Sequence, residues 1–159
     1  MERTALYPGS FDPFTNGHLG ITERGLKAFD KVVIGIATNS RKESMFTVQE
    51  RIDMIRHIFK DEPCVQVCSF EGLTVNYAEA IKATVILRGL RAVADFEYEF
   101  QMANMNRKLN SSVETLFMMT EAPYFFVSSQ NVKEVARFGG DITGIVPPYI
   151  GQMVREKLK

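Results

Sequence analysis

Short, largely apolar runs recur along this chain at similar intervals: TALY at 4–7, VVIGIAT at 32–38, VQVCSF at 65–70, TVILRG at 84–89 and VETLFMM at 113–119. Each is the length of a buried strand and too short to cross a membrane as a helix. Between them, apolar residues return at helical spacing and predict helices near 17–29, 47–59, 74–82 and 93–109, with two further pieces near 130–138 and 147–158. Thr47 and Glu50 form a capping-box pattern that sets the start of the second helix. Alternating strands and helices imply right-handed crossovers. The fold class is therefore α/β: a Rossmann-like, doubly wound, five-stranded parallel sheet with helices on both faces. No linker, low-complexity tract or repeat interrupts the pattern, so one domain over 1–159 is expected.

Composition narrows the class of partner. With 159 residues and 45% hydrophobic content, the chain can bury a substantial core without a metal or disulfides. Lysine plus arginine equals aspartate plus glutamate at 19 each, which gives no basic field for a nucleic-acid backbone. Small-molecule partners are expected, with no nucleic acid and no membrane. The start MERTALYPG has no basic segment followed by a long apolar one, so a cytoplasmic location is expected. Cys64 and Cys68, four residues apart, have neither zinc-site nor CxxC spacing and read as reduced structural thiols.

The polar chemistry gathers in the segments that follow the predicted strands: PGSFDPFTNGH, NSRKES, EGLT, GLRAVAD and TEAPYFFVSSQN. They carry Ser10, His18, Lys42, Thr74, Arg91, Ser128 and Ser129, and Arg88 ends the fourth strand. An open parallel sheet binds ligands beyond the carboxyl ends of its strands, so these loops converge on one pocket. Lys42, Arg88 and Arg91 supply positive charge, and helix starts at His18 and Ser129 supply free backbone N–H groups, a combination suited to phosphate oxygens. Neither G-x-G-x-x-G nor G-x-x-x-x-G-K-[ST] is present, which removes a dinucleotide dehydrogenase and a P-loop NTPase.

His18, in the first turn of its helix, feels the positive end of the helix dipole and should act as a neutral, hydrogen-bond-donating imidazole. Gly9 and Gly17 would let backbone approach a phosphate closely.

The run YPGSFDPFTNGH resembles the GxFDPxxxGH signature of the nucleotidyltransferase superfamily, and RGLRAVADFEYEFQMANMNRKL resembles the central segment of the bacterial phosphopantetheine adenylyltransferases. The likeness extends from Tyr7 to Asp141. The resemblance implies transfer of adenylate from ATP to 4′-phosphopantetheine, giving dephospho-coenzyme A and pyrophosphate, with Mg²⁺ carried on the nucleotide phosphates. It makes coenzyme A a candidate feedback inhibitor and implies a homohexamer arranged as a dimer of trimers. It assigns catalysis to His18, Lys42, Arg91 and Ser10, with His18 stabilising the α-phosphate in the transition state. It assigns the acceptor to Ser10, Lys42, Thr74 and Arg88. It gives ATP Ser10, Phe11, His18, Gly89, Leu90, Arg91 and Glu99, together with Tyr124, Phe125, Phe126, Val127, Ser128, Ser129 and Gln130, and it assigns no protein metal site. Two positions depart from the family pattern: Ser10, where threonine is common, and Gln130, where a third serine is common.

Structural roles compete for several of these residues. Arg88 and Arg91 could pair with Asp95 or Glu99 at the strand end. Glu99 also fits a helix with an acidic start and a basic end at Arg107 and Lys108. Asp12, between Phe11 and Pro13, reads as a turn-former rather than a metal ligand. Phe96, Phe100, Met102 and Met105 read as core or subunit interface. Two other functions remain open: a nucleotidyltransferase for a different phosphate acceptor, and a catalytically silent nucleotide-binding protein.

Overall fold

The computed structural model describes residues 2–38 and 43–159. Its elements run β1 (Thr4–Gly9), α1 (Asn16–Ala28), β2 (Lys31–Ala37), α2 (Val48–Ile58), β3 (Val65–Phe70), α3 (Thr74–Ala80), β4 (Val85–Leu90), α4 (Val93–Leu109), β5 (Glu114–Met119), α5 (Ser129–Arg137) and α6 (Pro148–Lys157). A single 3₁₀ turn, Ala122–Tyr124, precedes α5. All five strands join one parallel sheet in the order β3-β2-β1-β4-β5. This is the five-stranded, doubly wound architecture that the apolar runs predict. The order reverses beside β1. The chain first winds outward through β2 and β3, then crosses back to lay β4 against the other side of β1. The crevice beyond the carboxyl ends of β1 and β4 is therefore the switch point where such sheets bind ligands.

Strand alternation decides what each face buries. Ala5, Tyr7, Val32, Ile34 and Leu87 point to a large core closed by Ile21 of α1, Ile52 and Ile55 of α2, Val132 of α5, and Ile150 and Val154 of α6. Leu6, Val33 and Ile86 point to the opposite face and meet Val75 and Ala78 of α3 in a smaller core. Thr47 caps α2 as the sequence predicts: its hydroxyl accepts from the Glu50 N–H, and the Glu50 side chain accepts from the Thr47 N–H.

α4 departs from the pattern of a core helix. Its one buried residue is Glu99, while Phe96, Phe100, Met102, Met105 and Leu109 are exposed. The core alternative for Phe96, Phe100, Met102 and Met105 is thus removed, because the helix turns its charge-bearing side toward the sheet edge.

Gly35, in the middle of β2, marks how tightly the smaller core closes. A Cβ there would stand 2.9 Å from Leu6 Cδ1 and 3.0 Å from Phe70 Cε1. Gly35→Ala should therefore destabilise the fold by about 1–3 kcal/mol through overpacking. Thermal or urea unfolding measures it, and an unchanged midpoint would contradict the close approach.

Candidate functional site

The loop after β1 is shaped by an aromatic cluster. Phe11 has φ 48°, a left-handed conformation unusual for a bulky residue, and its ring is held by Tyr7 (centroids 5.2 Å apart), Phe14 (5.6 Å) and His18 (5.0 Å). A Cβ on Gly9 would lie 2.9 Å from this ring, so Phe11 itself demands the glycine. Gly9 also lines the cleft, so this packing demand stands beside its reading as a phosphate-approach residue. Gly17 keeps that reading: it lines the cleft, and an added Cβ would meet only ordinary contacts at 3.5 Å or beyond.

His18 completes a capping box at the start of α1. The Thr15 N–H donates to His18 Nδ1 at 3.0 Å, and the His18 N–H donates to Thr15 Oγ1 at 3.3 Å. Because Nδ1 is the acceptor, the ring proton of the neutral form sits on Nε2. Burial, reinforced by the nearby Arg91 and Arg88 guanidiniums, pushes the imidazole pKa down to about 3. The lowered pKa favours the neutral imidazole expected from the sequence, and burial and two cations add to the helix start as its causes. Thr15 was not legible as a site residue; its signal was a threonine three positions before the histidine, at an N-cap.

His18 opens into a cleft of about 300 Å³ at the β1/β4 switch point, shared with Ser10, Phe11, Gly89, Arg91 and Ser129 among others. Arg88 crosses its floor. Its Nη1 donates to the Pro8 carbonyl at 2.7 Å, and its Nε and Nη2 grip Glu99 at 2.8 and 2.6 Å. Burial disfavours the Arg88 charge, yet the Glu99 carboxylate more than offsets it and raises the guanidinium's pKa. Arg91 is held more loosely. It reaches Asp95 at 3.1 and 3.3 Å, and its Nη1 donates to the Val127 carbonyl at 3.2 Å. Both competing ion pairs are thus real, and both lie in the cleft. Neither arginine is an unopposed charge.

Beyond the Arg88–Glu99 pair is a second recess of about 150 Å³, lined by Thr74, Tyr98, Met102 and Asn106. The pair forms a partition with Thr74 on one side and His18 on the other. Val127, Ser128 and Ser129 line the main cleft, whereas Gln130 faces a third recess of about 640 Å³ that also reaches Ser10 and Ser129. At α5, Ser128 Oγ accepts the Asn131 N–H, and the first N–H groups of the helix have no carbonyl within it to meet. Tyr124, Phe125, Phe126 and Leu90 are not among the residues lining this cleft; Phe125 and Phe126 are exposed, and Leu90 is buried. Lys42 lies outside the described residues.

Asp12 is more than a turn-former. It is buried, accepts the N–H groups of Met45 and Phe46 at 2.9 Å each, and pairs with Lys133 at 3.0 Å. Such partners, more than 30 residues away in sequence, leave no local trace. The two cysteines are free thiols. Among the described residues, no helix is long and apolar enough to cross a membrane.

Comparison with known proteins adds to this geometry. The cytidylyltransferase-like family profile matches residues 6–135. A phosphopantetheine adenylyltransferase of Desulfatibacillum aliphaticivorans is 52% identical over 159 residues, 100% of this chain and 91% of that protein. One from Carboxydothermus hydrogenoformans is 54% identical over 157 residues, covering 99% and 97%. One from Clostridium botulinum is 53% identical over 148 residues, covering 93% of each.

The His18 assignment has a direct check. Near about pH 5, where a free histidine is mostly cationic, nitrogen NMR should show a neutral ring protonated on Nε2; an imidazolium signal would contradict it. The stability consequence has a definite sign. The folded pKa of about 3 lies below the unfolded value of 6.5, so the contribution is complete above the latter and is lost as pH falls toward the former. His18→Gln should flatten that acid limb.

Proposed function

The chain belongs to the phosphopantetheine adenylyltransferase family of cytidylyltransferase-like nucleotidyltransferases, and we propose that its cleft transfers adenylate from ATP to 4′-phosphopantetheine by direct in-line displacement at the α-phosphorus. The products are dephospho-coenzyme A and pyrophosphate, a step of coenzyme A biosynthesis. The single observation that carries the mechanism is the hydrogen bond from the Thr15 N–H to His18 Nδ1, which leaves Nε2 as the ring donor of a histidine lining the cleft at the β1/β4 switch point.

The acceptor phosphate is already anionic at neutral pH, so no side chain has to activate it. Catalysis then rests on holding nucleophile and α-phosphorus in line and on stabilising the charge that develops on the equatorial oxygens. His18 Nε2–H is the donor for an α-phosphate oxygen. A neutral donor can strengthen its bond as charge builds without holding the ground-state phosphate too tightly. Arg91 serves the nucleotide phosphates. Its pairing with Asp95 is long and partly exposed, so phosphate oxygens can compete for its N–H groups. The first N–H groups of α5, beside Ser129, face the same anion.

Arg88, locked on Glu99 and the Pro8 carbonyl, serves as a rigid wall between nucleotide and acceptor. Thr74 on its far side suits the pantetheine arm, whose amides need hydrogen-bond partners in a narrow recess. Ser10 and Lys42 would orient the acceptor phosphate. Asp95 and Glu99, the carboxylates lining the cleft, are each engaged by an arginine. Mg²⁺ is accordingly assigned to the phosphate oxygens of the nucleotide, hard ligands that suit it.

Two further assignments belong to this reading. Coenzyme A shares the pantetheine arm and adenylate of the product, which makes it a competitor for the same cleft in the cytoplasm. The exposed apolar face of α4, continued by Met119 of β5, suits burial between copies in a homohexamer.

Pyrophosphate release from ATP, Mg²⁺ and 4′-phosphopantetheine tests the activity, and its absence would contradict the reading. His18→Ala and Lys42→Ala should each lower kcat by roughly 10²–10³ with the fold intact; near-normal kcat would remove their roles. Initial-rate plots with both substrates varied should intersect, since parallel lines would signal an adenylated enzyme. Light scattering should give six copies per particle, and a stable monomer at assay concentration would contradict the interface.

A further inference from the structure

The loop that carries Ser10 and leads to His18 is held from outside at three consecutive points. Arg51 Nη1 donates to the Ser10 carbonyl at 2.8 Å, and Ser129 Oγ donates to the Pro13 carbonyl at 2.7 Å. Between them, the Asp12 carboxylate accepts the Met45 and Phe46 N–H groups and the Lys133 ammonium. The Asp12 side chain is 6% exposed and that of Lys133 12%, so the pair lies almost out of water. A buried pair of this kind adds little net stability compared with an apolar replacement, and its best-attested use is to specify one arrangement.

Here the arrangement has functional content. Asp12 joins the loop after β1, the backbone just before α2, and α5, three elements far apart in sequence. The first presents Ser10 and the last presents Ser129 to the same cleft. On the reading above, those two residues face opposite sides of the reaction, acceptor and nucleotide.

We propose that Asp12, through its ion pair with Lys133, is a positioning residue for the transfer: it sets the distance between the acceptor-holding loop and the nucleotide-holding start of α5. This rests on the proposed adenylate transfer; Asp12 and Lys133 line the recess beside Gln130, and each charge is taken up by the other. Each side keeps its own ligand contacts when the clamp is lost, so affinities persist. What fails is the in-line alignment of nucleophile and α-phosphorus, to which rate is far more sensitive than binding.

The test is steady-state kinetics on Asp12→Asn, Lys133→Gln and the double variant. Asp12→Asn removes the charge and, with one acceptor oxygen left, one of the two backbone hydrogen bonds; Lys133→Gln leaves both backbone hydrogen bonds of Asp12 in place. Each should lower kcat about 10- to 100-fold while KM for ATP and for 4′-phosphopantetheine stays within about threefold. The double variant should be no slower than Asp12→Asn alone, because that variant already lacks the ion pair. Lys133→Arg, which keeps charge and donors, should recover most of the rate. Wild-type-like kcat in folded single variants whose Tm has dropped would overturn the proposal and leave Asp12 a purely structural residue. Raised KM with normal kcat would overturn it equally. If Asp12→Asn does not fold, Lys133→Gln decides by the same criteria. Absence of turnover by the wild-type enzyme would instead remove the adenylate-transfer reading, and the positioning role with it.

Discussion

The hydrogen bond from the Thr15 N–H to Nδ1 of His18 orders the rest of the site. It ties up one orphan donor at the start of α1, and so helps to begin the helix. The same bond places the imidazole proton on Nε2. Burial and two neighbouring guanidiniums then keep the ring neutral far below physiological pH. One local capping interaction thereby couples the folding of α1 to the protonation state of the group facing the reacting phosphate. The strained Phe11 backbone is understandable in this light: its ring packs edge-on to the imidazole and limits the ring's freedom to turn.

Around this donor the charges are organised in matched pairs. Arg88 with Glu99, Arg91 with Asp95 and Lys133 with Asp12 differ in burial and in strictness of geometry. The bidentate Arg88–Glu99 pair is rigid and separates two recesses. Arg91–Asp95 is longer and wetter, and it is the one able to exchange a carboxylate for a phosphate. A site of unopposed cations would bind ATP and pyrophosphate tightly at rest. Matched cations reserve their pull for a ligand that can displace or complement the carboxylate, which favours stabilisation of developing charge over uniform binding.

Much of the architecture could be read from the chain because strands and helices leave periodic marks. The five apolar runs and the Thr47 capping box reappear in the structure, and Ser10, His18, Arg88, Arg91, Ser128 and Ser129 share one cleft, while Thr74 lines a separate recess. Features that depend on distant partners were not legible. Arg88 donates to a carbonyl 80 residues away, and Asp12 pairs with a lysine 121 residues away. The outward turn of α4 was also hidden. Phe96, Phe100, Met102 and Met105 read alike whether they face a core or a neighbour, and the one buried residue of the helix is a glutamate paired with an arginine on β4. The packing demand on Gly9 was hidden for a similar reason, since the ring it accommodates belongs to a residue in an unusual backbone conformation.

The central claim is that the protein orients and stabilises while adenylate passes straight from one substrate to the other. The stereochemical course at the α-phosphorus tests this most directly, using ATP made chiral at that centre by sulfur substitution and configurational analysis of the dephospho-coenzyme A formed. A single in-line displacement predicts inversion. Retention would mean two displacements, an adenylated protein between them, and a covalent role for His18 that its fixed Nε2–H geometry was taken to exclude.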